Sequence, residues 1–168
     1  MNLTFISAGL YPDQHAAAIR HSTLAKGLAE QGHTITFLLL TPQDWNRKDS
    51  MNYSGVEYKT LNSYTGNNKF IKLYNEYRAI SKAKKILQQQ ATEKKLDAVV
   101  IFTVELFPIS FLLKAVHAMG IKVFHERTEL PYAVTSQSKR KQLMLRNYLN
   151  KQLPKFDGVF VISNKLNV

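Results

Sequence analysis

One feature constrains the fold of this 168-residue sequence most strongly: short apolar runs rich in β-branched residues alternate with longer stretches of helical periodicity. The apolar runs are LTFIS at 3–7, TITFLLL at 34–40, AVVIF at 98–102, IKVF at 121–124 and GVFVI at 158–162. Strands that are apolar on both faces are typical of a parallel sheet covered by helices. We therefore predict an α/β, Rossmann-like fold, in which helices cover both faces of a parallel sheet in three layers.

The remaining segments fit this alternation. VEYKTL at 56–61 alternates apolar and polar residues, which suits a strand near the sheet edge. Helical spacing predicts helices over 15–31, 69–92, 108–119 and 138–153, and the polar stretches 41–54 and 62–68 are predicted to be loops. The periodic apolar positions are Ala17, Leu24 and Leu28 in the first helix, and Phe70, Leu73, Tyr74, Tyr77, Ile80 and Leu87 in the long second helix.

Composition and charge exclude several classes of protein. The chain has no cysteine, which excludes a disulfide framework and a thiolate zinc site, and no ligand spacing typical of a metal site is present. No apolar stretch reaches the ~18 residues that a membrane span needs, and the N-terminus lacks a signal peptide's basic region. The net charge of +11 favours an anionic partner, although a lysine-rich solvated surface is the alternative.

Three polar segments follow predicted strands, at 7–15, 102–105 and 125–131. Ligands of open parallel sheets bind beyond the carboxyl ends of the strands, so these segments are the candidate site. The first segment lacks the GxGxxG fingerprint, so we expect no NAD. In the third, HERTE at 125–129 offers acids that can orient hydroxyls or act as a base. The alternative is a loop whose charges pair with each other.

Two further candidates each have an ordinary structural explanation. Arg20 on the first helix can reach a phosphate or point into solvent. Thr103 and Glu105 follow AVVIF, where they can contact substrate, but an acid at a helix start is also favoured by the helix dipole alone.

The stretch KRKQLMLRNYLNKQLPK at 139–155 contains six basic residues and no acid. Such an amphipathic helix can lie on an anionic membrane, or it can pack on the core with a basic outer face. No recognised nucleic-acid motif or aromatic platform is present, so we expect no nucleic acid. The candidate membrane-surface residues are Lys139, Arg140, Lys141, Arg146 and Lys151.

Three segments, taken in order, resemble family 4 glycosyltransferases, which have the GT-B fold. They are YPDQHAAAIRHSTLAKGLAEQGHTITFLLL, LDAVVIFTVELFPISFLLKAVHAMGIKVFHERTELP and FDGVFVISNKL. The resemblance runs from the first of these segments to the last, over nearly the whole chain. The sequence departs from the family's pattern in the first loop, where His15 and Ala16 occupy positions that often hold Gly-Gly.

The resemblance implies that residues 1–168 form a single N-terminal acceptor-binding domain, and that a C-terminal domain absent from this chain binds the nucleotide-sugar. It implies a retaining, metal-independent enzyme of hexosyltransferase type that needs no cofactor beyond this co-substrate, and an isolated domain that is inactive. The acceptor would be a glycan or a lipid-linked sugar in polysaccharide or glycolipid synthesis. The protein would be cytoplasmic, or peripheral on the inner face of the membrane.

The resemblance also assigns roles to residues. The candidate catalytic residues are His125, Glu126 and Glu129, and both His125 and Glu129 are candidates for the polar group near the transferred sugar. The candidate substrate-binding residues are His15, Ala16, Arg20, Thr103, Glu105, Arg127 and Thr128. The alternative function is a non-catalytic membrane-surface or protein-interaction module with the same fold.

Overall fold

The computed structural model describes residues 1–8, 16–42, 50–102, 106–127, 142–143 and 146–161, with only the backbone of 106–109. The strands are β1 (Asn2–Ser7), β2 (Thr34–Leu39), β3 (Ser50–Tyr53), β4 (Val56–Thr60), β5 (Ala98–Ile101), β6 (Lys122–Arg127) and β7 (Gly158–Val161). The helices are α1 (Ala16–Glu30), α2 (Lys69–Thr92) and α3 (Leu106–His117), and a π-helical turn (Tyr148–Gln152) and a 3₁₀ turn (Leu153–Lys155) precede β7.

The strands form one sheet in the order β3-β4-β2-β1-β5-β6-β7. Every pair of neighbours is parallel except β3 and β4, which are antiparallel. The predicted α/β fold with a parallel sheet is therefore confirmed.

Helices cover both faces of the sheet, as predicted. On one face, alternate strand residues such as Phe5, Phe37 and Val100 pack with Ala25 of α1. On the other face, their neighbours in sequence pack with α2 and α3, and this larger cluster includes Ile6, Leu38, Ile101, Ile80, Leu87 and Leu112. Successive strand residues point to opposite faces, which explains why the predicted strands are apolar throughout.

The prediction that 41–54 is entirely a loop was wrong, because Ser50–Tyr53 form strand β3. Ser54 and Gly55 connect it to β4, and both have positive φ angles, 51° and 78°. Two such residues form the kind of tight turn that reverses the chain into an antiparallel hairpin. The edge strand β3 follows from this turn rather than from an apolar pattern.

The predicted apolar stripes of the first two helices were only partly right. In α1 the buried residues are Ala18, His21 and Ala25, whereas Leu24 is 39% exposed. In α2 the bounds agree with the prediction, and Asn68 caps the helix by accepting hydrogen bonds from the backbone of residues 70 and 71. However, α2 is buried only from Ala79 onwards, so the first part of its stripe is exposed.

The third predicted helix, over 108–119, is confirmed with shifted ends, since α3 begins and ends two residues earlier. The fourth, over 138–153, is helical at 142–143 and 146–147, and then becomes the π-helical and 3₁₀ turns. Strand β6 is longer than predicted and ends at Arg127 instead of residue 124. His125, Glu126 and Arg127 are consequently buried strand residues rather than members of an exposed loop.

Candidate functional site

The last three residues of β6 present their side chains to opposite faces of the sheet. His125 packs against aromatic residues of the face that α2 and α3 cover, and Glu126 contacts α1 on the other face. All three residues are buried, with exposed fractions of 0% for His125, 6% for Glu126 and 7% for Arg127. Polar side chains buried at the carboxyl end of a parallel strand lie where open α/β sheets bind ligands.

On the α1 face, Arg20, His21 and Glu126 form a buried polar cluster, here called the Glu126 cluster. The Glu126 carboxylate accepts hydrogen bonds from Nε and Nη2 of Arg20, at 2.9 and 3.2 Å, and from Nε2 of His21 at 2.7 Å. Burial by itself would raise the pKa of Glu126, but these hydrogen bonds and the neighbouring charges outweigh it and lower the pKa. The carboxylate is therefore an ionised anchor for two side chains of α1.

The local fold explains why His21 belongs to this cluster. His21 lies between Ala18 and Ala25 on the buried face of α1. Its ring stacks on Phe102, which directly follows β5, with ring centroids 4.0 Å apart. The ring is thus held by packing as well as by its hydrogen bond, which fixes the direction from which it reaches Glu126.

Arg20 is the member of the Glu126 cluster that meets solvent, with 35% of its side chain exposed. Two of its nitrogens are engaged by Glu126. Its third nitrogen, Nη1, makes no hydrogen bond to any part of the chain that the structure describes. A guanidinium that is oriented by a buried carboxylate and keeps free N–H donors is suited to bind a hydroxyl or an anion.

His125 lies on the opposite face in an aromatic environment. Its Nδ1 lies 2.7 Å from the carbonyl oxygen of Ile101, and Nδ1 donates because a carbonyl oxygen can only accept. Burial lowers the pKa of His125, so the ring is neutral at pH 7. The ring stacks on Phe156 at 4.9 Å and meets Tyr148 edge-on at 5.8 Å.

Two buried polar atoms of this environment, Nε2 of His125 and the Tyr148 hydroxyl, have no hydrogen-bond partner among the described residues. Burial raises the pKa of the Tyr148 hydroxyl, so this group stays protonated. The charge of Arg127 acts on both His125 and Tyr148. A buried polar atom without a hydrogen-bond partner lowers the stability of the folded state. Residues 128–141, which follow β6 in the chain, lie outside the described residues.

The structure describes only part of the predicted site. Ala16 lies exposed at the start of α1, and Arg146 and Lys151 are exposed near the π-helical turn. Eight predicted residues lie outside the described residues: His15, Thr103, Glu105, Thr128, Glu129, Lys139, Arg140 and Lys141. Their roles stay predictions.

The structure brings Arg20 and Glu126 together and adds His21, which the prediction left out of the site. The spacing of Ala18, His21 and Ala25 was the available signal, because it places the imidazole on a face of small residues. In the described ranges, no three His, Cys, Asp or Glu residues are grouped as metal ligands. No helix within these ranges is both long and apolar enough to cross a membrane.

No protein-family model matches the chain, and no curated protein matches its sequence significantly. Solved structures do match its fold. UGT2 of Phytolacca americana, complexed with UDP-2-fluoro-glucose and pterostilbene, has a TM-score of 0.64 at 14% identity, over 95% of this chain and 47% of its own. UGT89C1 of Arabidopsis thaliana, complexed with UDP, has a TM-score of 0.56 at 12% identity, over 96% of this chain and 45% of its own.

The chain therefore spans about half the length of the structures that it matches. The similarity is to glycosyltransferases of the GT-B type in general, and the narrower assignment to family 4 stays a prediction. At such low identity the comparison concerns the fold, and the chain has the Rossmann-like fold found in one half of a GT-B glycosyltransferase.

Proposed function

We propose that this chain is the acceptor-binding half of a retaining glycosyltransferase. The enzyme would transfer a sugar, of hexosyl type, from a nucleotide-sugar to a hydroxyl group of a glycan or lipid-linked acceptor. In that reaction the acceptor oxygen bonds to the anomeric carbon, the bond from that carbon to the diphosphate breaks, and the hydroxyl proton leaves to the diphosphate or to solvent. The fold supports this proposal, since a matching structure of the same fold is complexed with a UDP-sugar analogue and a second small molecule.

A second domain, outside this chain, would bind the nucleotide-sugar. The matching structures are about twice as long as this chain, which supports a protein of two such halves. The site would then lie between the halves, with the carboxyl edge of this sheet as one wall. We expect no metal or further cofactor, as the resemblance to family 4 glycosyltransferases implies.

The observation that carries the proposal is the geometry of Arg20. A buried carboxylate holds this guanidinium at the carboxyl edge of the sheet through Nε and Nη2, while Nη1 makes no hydrogen bond to the described residues. Arg20 would bind an acceptor hydroxyl or phosphate, and Glu126 and His21 would act as positioning residues that fix the guanidinium. Holding a reactant in place by a preoriented group contributes to catalysis through proximity and orientation.

The remaining predicted residues keep their proposed roles. His125 is neutral, and its Nε2 has no hydrogen-bond partner among the described residues, so it would be available to a substrate hydroxyl. Glu129, in the segment that follows β6, stays the other candidate for the polar group near the transferred sugar.

The proposal is tested by UDP release from UDP-glucose, UDP-galactose and UDP-N-acetylglucosamine, with alkyl glycosides as acceptors and the two-domain protein as the enzyme. We expect acceptor-dependent release with at least one donor, and a rate at least about tenfold lower in Arg20→Ala, the loss expected for a charged hydrogen bond. The matched control is Lys26→Ala, because Lys26 is an exposed cation on the same helix.

Equal rates in Arg20→Ala and Lys26→Ala would show that Arg20 is not part of the site. Absence of release from all three donors would favour the alternative of a non-catalytic interaction module. A third outcome, acceptor-independent hydrolysis that Arg20→Ala leaves unchanged, would also argue against an acceptor role for this edge.

A further inference from the structure

The first half of α2 presents an apolar stripe to solvent. Its four residues recur at helical spacing and are exposed by 86%, 61%, 58% and 53%, in the order Phe70, Leu73, Tyr74 and Tyr77. Isolated apolar residues are common on protein surfaces, but a contiguous stripe of four large side chains marks an interaction site.

This stripe cannot be covered by the chain's own core, because α2 uses another face for that purpose. The helix packs on the sheet through Ala79, Ile80, Ala83 and Leu87. At about 100° of rotation per residue, the centre of the exposed stripe lies roughly a third of a turn from the centre of this buried face. The two faces overlap only at Leu73, which lies on the same side of the helix as Ile80. The stripe occupies the first half of α2, before the part of the helix that packs on the core.

The part of α2 that carries the stripe is rich in basic residues, and some of them, such as Arg78 and Lys85, lie beside the stripe. Over residues 69–85 the helix carries one acid, Glu76, and six basic residues: Lys69, Lys72, Arg78, Lys82, Lys84 and Lys85. The guanidinium of Arg78 lies 5.7 Å from the centre of the Tyr74 ring, so charge and aromatic surface are adjacent. Phe, Leu and Tyr beside Lys and Arg are the combination found on helices that lie in a membrane interface.

We propose that this stripe binds the surface of an anionic membrane, with its apolar side chains in the headgroup region and its basic side chains at the lipid phosphates. Charge complementarity selects this partner. A second copy of the chain would bring two strongly positive helices together, whereas anionic lipid attracts each Lys and Arg near it. The rings of Phe70, Tyr74 and Tyr77 supply the amphipathic or apolar surface that the interface favours.

The sequence predicted membrane contact for residues 139–155, of which Arg146 and Lys151 are exposed and Lys139 to Lys141 lie outside the described residues. The exposed stripe adds a second and separate surface. Its role does not rest on the proposed transferase activity, because vesicle binding is measured without any sugar donor.

The test is cosedimentation of the purified protein with large unilamellar vesicles of phosphatidylglycerol and phosphatidylcholine in equal amounts. We expect binding that is at least tenfold weaker to vesicles of phosphatidylcholine alone. Phe70→Ser with Tyr74→Ser should weaken binding at least about tenfold, because two exposed rings no longer enter the interface. Arg78→Gln with Lys85→Gln should weaken it by roughly 30-fold at low salt, because both exposed cations lie on one flank of the stripe.

The control variant changes Lys94 and Lys95 to Gln, which removes the same charge roughly 30 Å from the centre of the stripe, beyond the far end of the same helix. This control should bind as the wild type does. Three results would overturn the proposal: no binding of the wild type to the anionic vesicles, equal binding of the Phe70 and Tyr74 variant, or equal losses in the control. Sedimentation equilibrium tests the other occupant. If the wild type is a dimer and Phe70→Ser with Tyr74→Ser makes it a monomer, the stripe binds a second copy of the chain instead.

Discussion

The carboxylate of Glu126 and the imidazole of His21 are 105 residues apart in sequence, yet their nearest atoms lie 2.7 Å apart. This contact joins the end of β6 to the buried face of α1, and Arg20 completes it from the solvent side. The pair therefore has two consequences, one for stability and one for the position of Arg20.

Glu126→Gln should destabilise the protein. The amide keeps one acceptor oxygen but loses the charge that Arg20 and His21 share, so we expect a loss of about 1–3 kcal/mol in the free energy of unfolding. Urea denaturation at pH 7.5 measures this. The control Glu30→Gln affects an exposed acid that lies 3.8 Å from Lys26, and it should change the same free energy by less than about 0.5 kcal/mol. A loss no larger than the control's would mean that the cluster contributes nothing to folding.

Stability should fall as the pH drops below 6.5, because burial lowers the pKa of His125 from that ordinary value. Below pH 6.5 the unfolded chain binds a proton at His125 that the folded protein does not bind. The contribution of neutral His125 to the free energy of unfolding is therefore complete above pH 6.5, and it is lost as the pH falls toward the lower pKa of the folded protein. Glu126 does not act in this range, since its lowered pKa starts from 4.5.

Urea denaturation at pH 7.5 and 5.5 tests this prediction, and His125→Phe should reduce the loss between the two values. The control is His33→Gln, because His33 is only half-buried and lies next to the N-terminus. An unchanged slope in His125→Phe would show that another group causes the acid sensitivity.

Two glycine substitutions should have opposite signs. Gly55→Ala places a Cβ at φ 78°, in the turn between β3 and β4, and should destabilise the protein by about 1–2 kcal/mol. Gly27 lies inside α1, where a Cβ meets no atom within 4 Å. Gly27→Ala should therefore stabilise by about 0.5–1 kcal/mol. Thermal unfolding of both variants measures the difference, and an unchanged stability of Gly55→Ala would argue against the hairpin turn.

Asn68→Ala should cost about 1 kcal/mol, because two backbone N–H groups at the start of α2 lose their acceptor. Asn67→Ala is the matched control, since Asn67 is an exposed neighbour outside the helix. Urea denaturation compares the two variants. If both cost the same, the first turn of α2 does not depend on its cap.

The sequence predicted the sheet because continuous apolar runs such as 34–40 and 98–102 report burial on both faces directly. It did not predict β3, because the alternation in SMNY covers only four residues inside a polar stretch, and this edge strand depends on the Ser54-Gly55 turn and its pairing with β4. Periodicity located α2 correctly, yet could not show where the core ends along it. Phe70 and Leu87 look alike in sequence, but only Leu87 faces the sheet.

The site was predictable only in part. The position after IKVF marked Glu126 as a candidate, since carboxyl ends of parallel strands meet at one edge. Its contact with His21 depends on how α1 crosses the sheet, and no local pattern encodes that crossing. The charged cluster at 125–127 was predicted to leave the strand, but cross-strand pairing with β7 keeps these residues within β6.

The central claim is that Arg20, held by Glu126, contacts the acceptor. The most direct measurement is the steady-state kinetics of sugar transfer by the two-domain protein and its Arg20→Ala variant, with the acceptor and the nucleotide-sugar varied separately. We expect KM for the acceptor to rise at least about tenfold, because a charged hydrogen bond is lost, while KM for the nucleotide-sugar stays the same. A rise in KM for the nucleotide-sugar alone, or no change in either constant, would contradict the central claim.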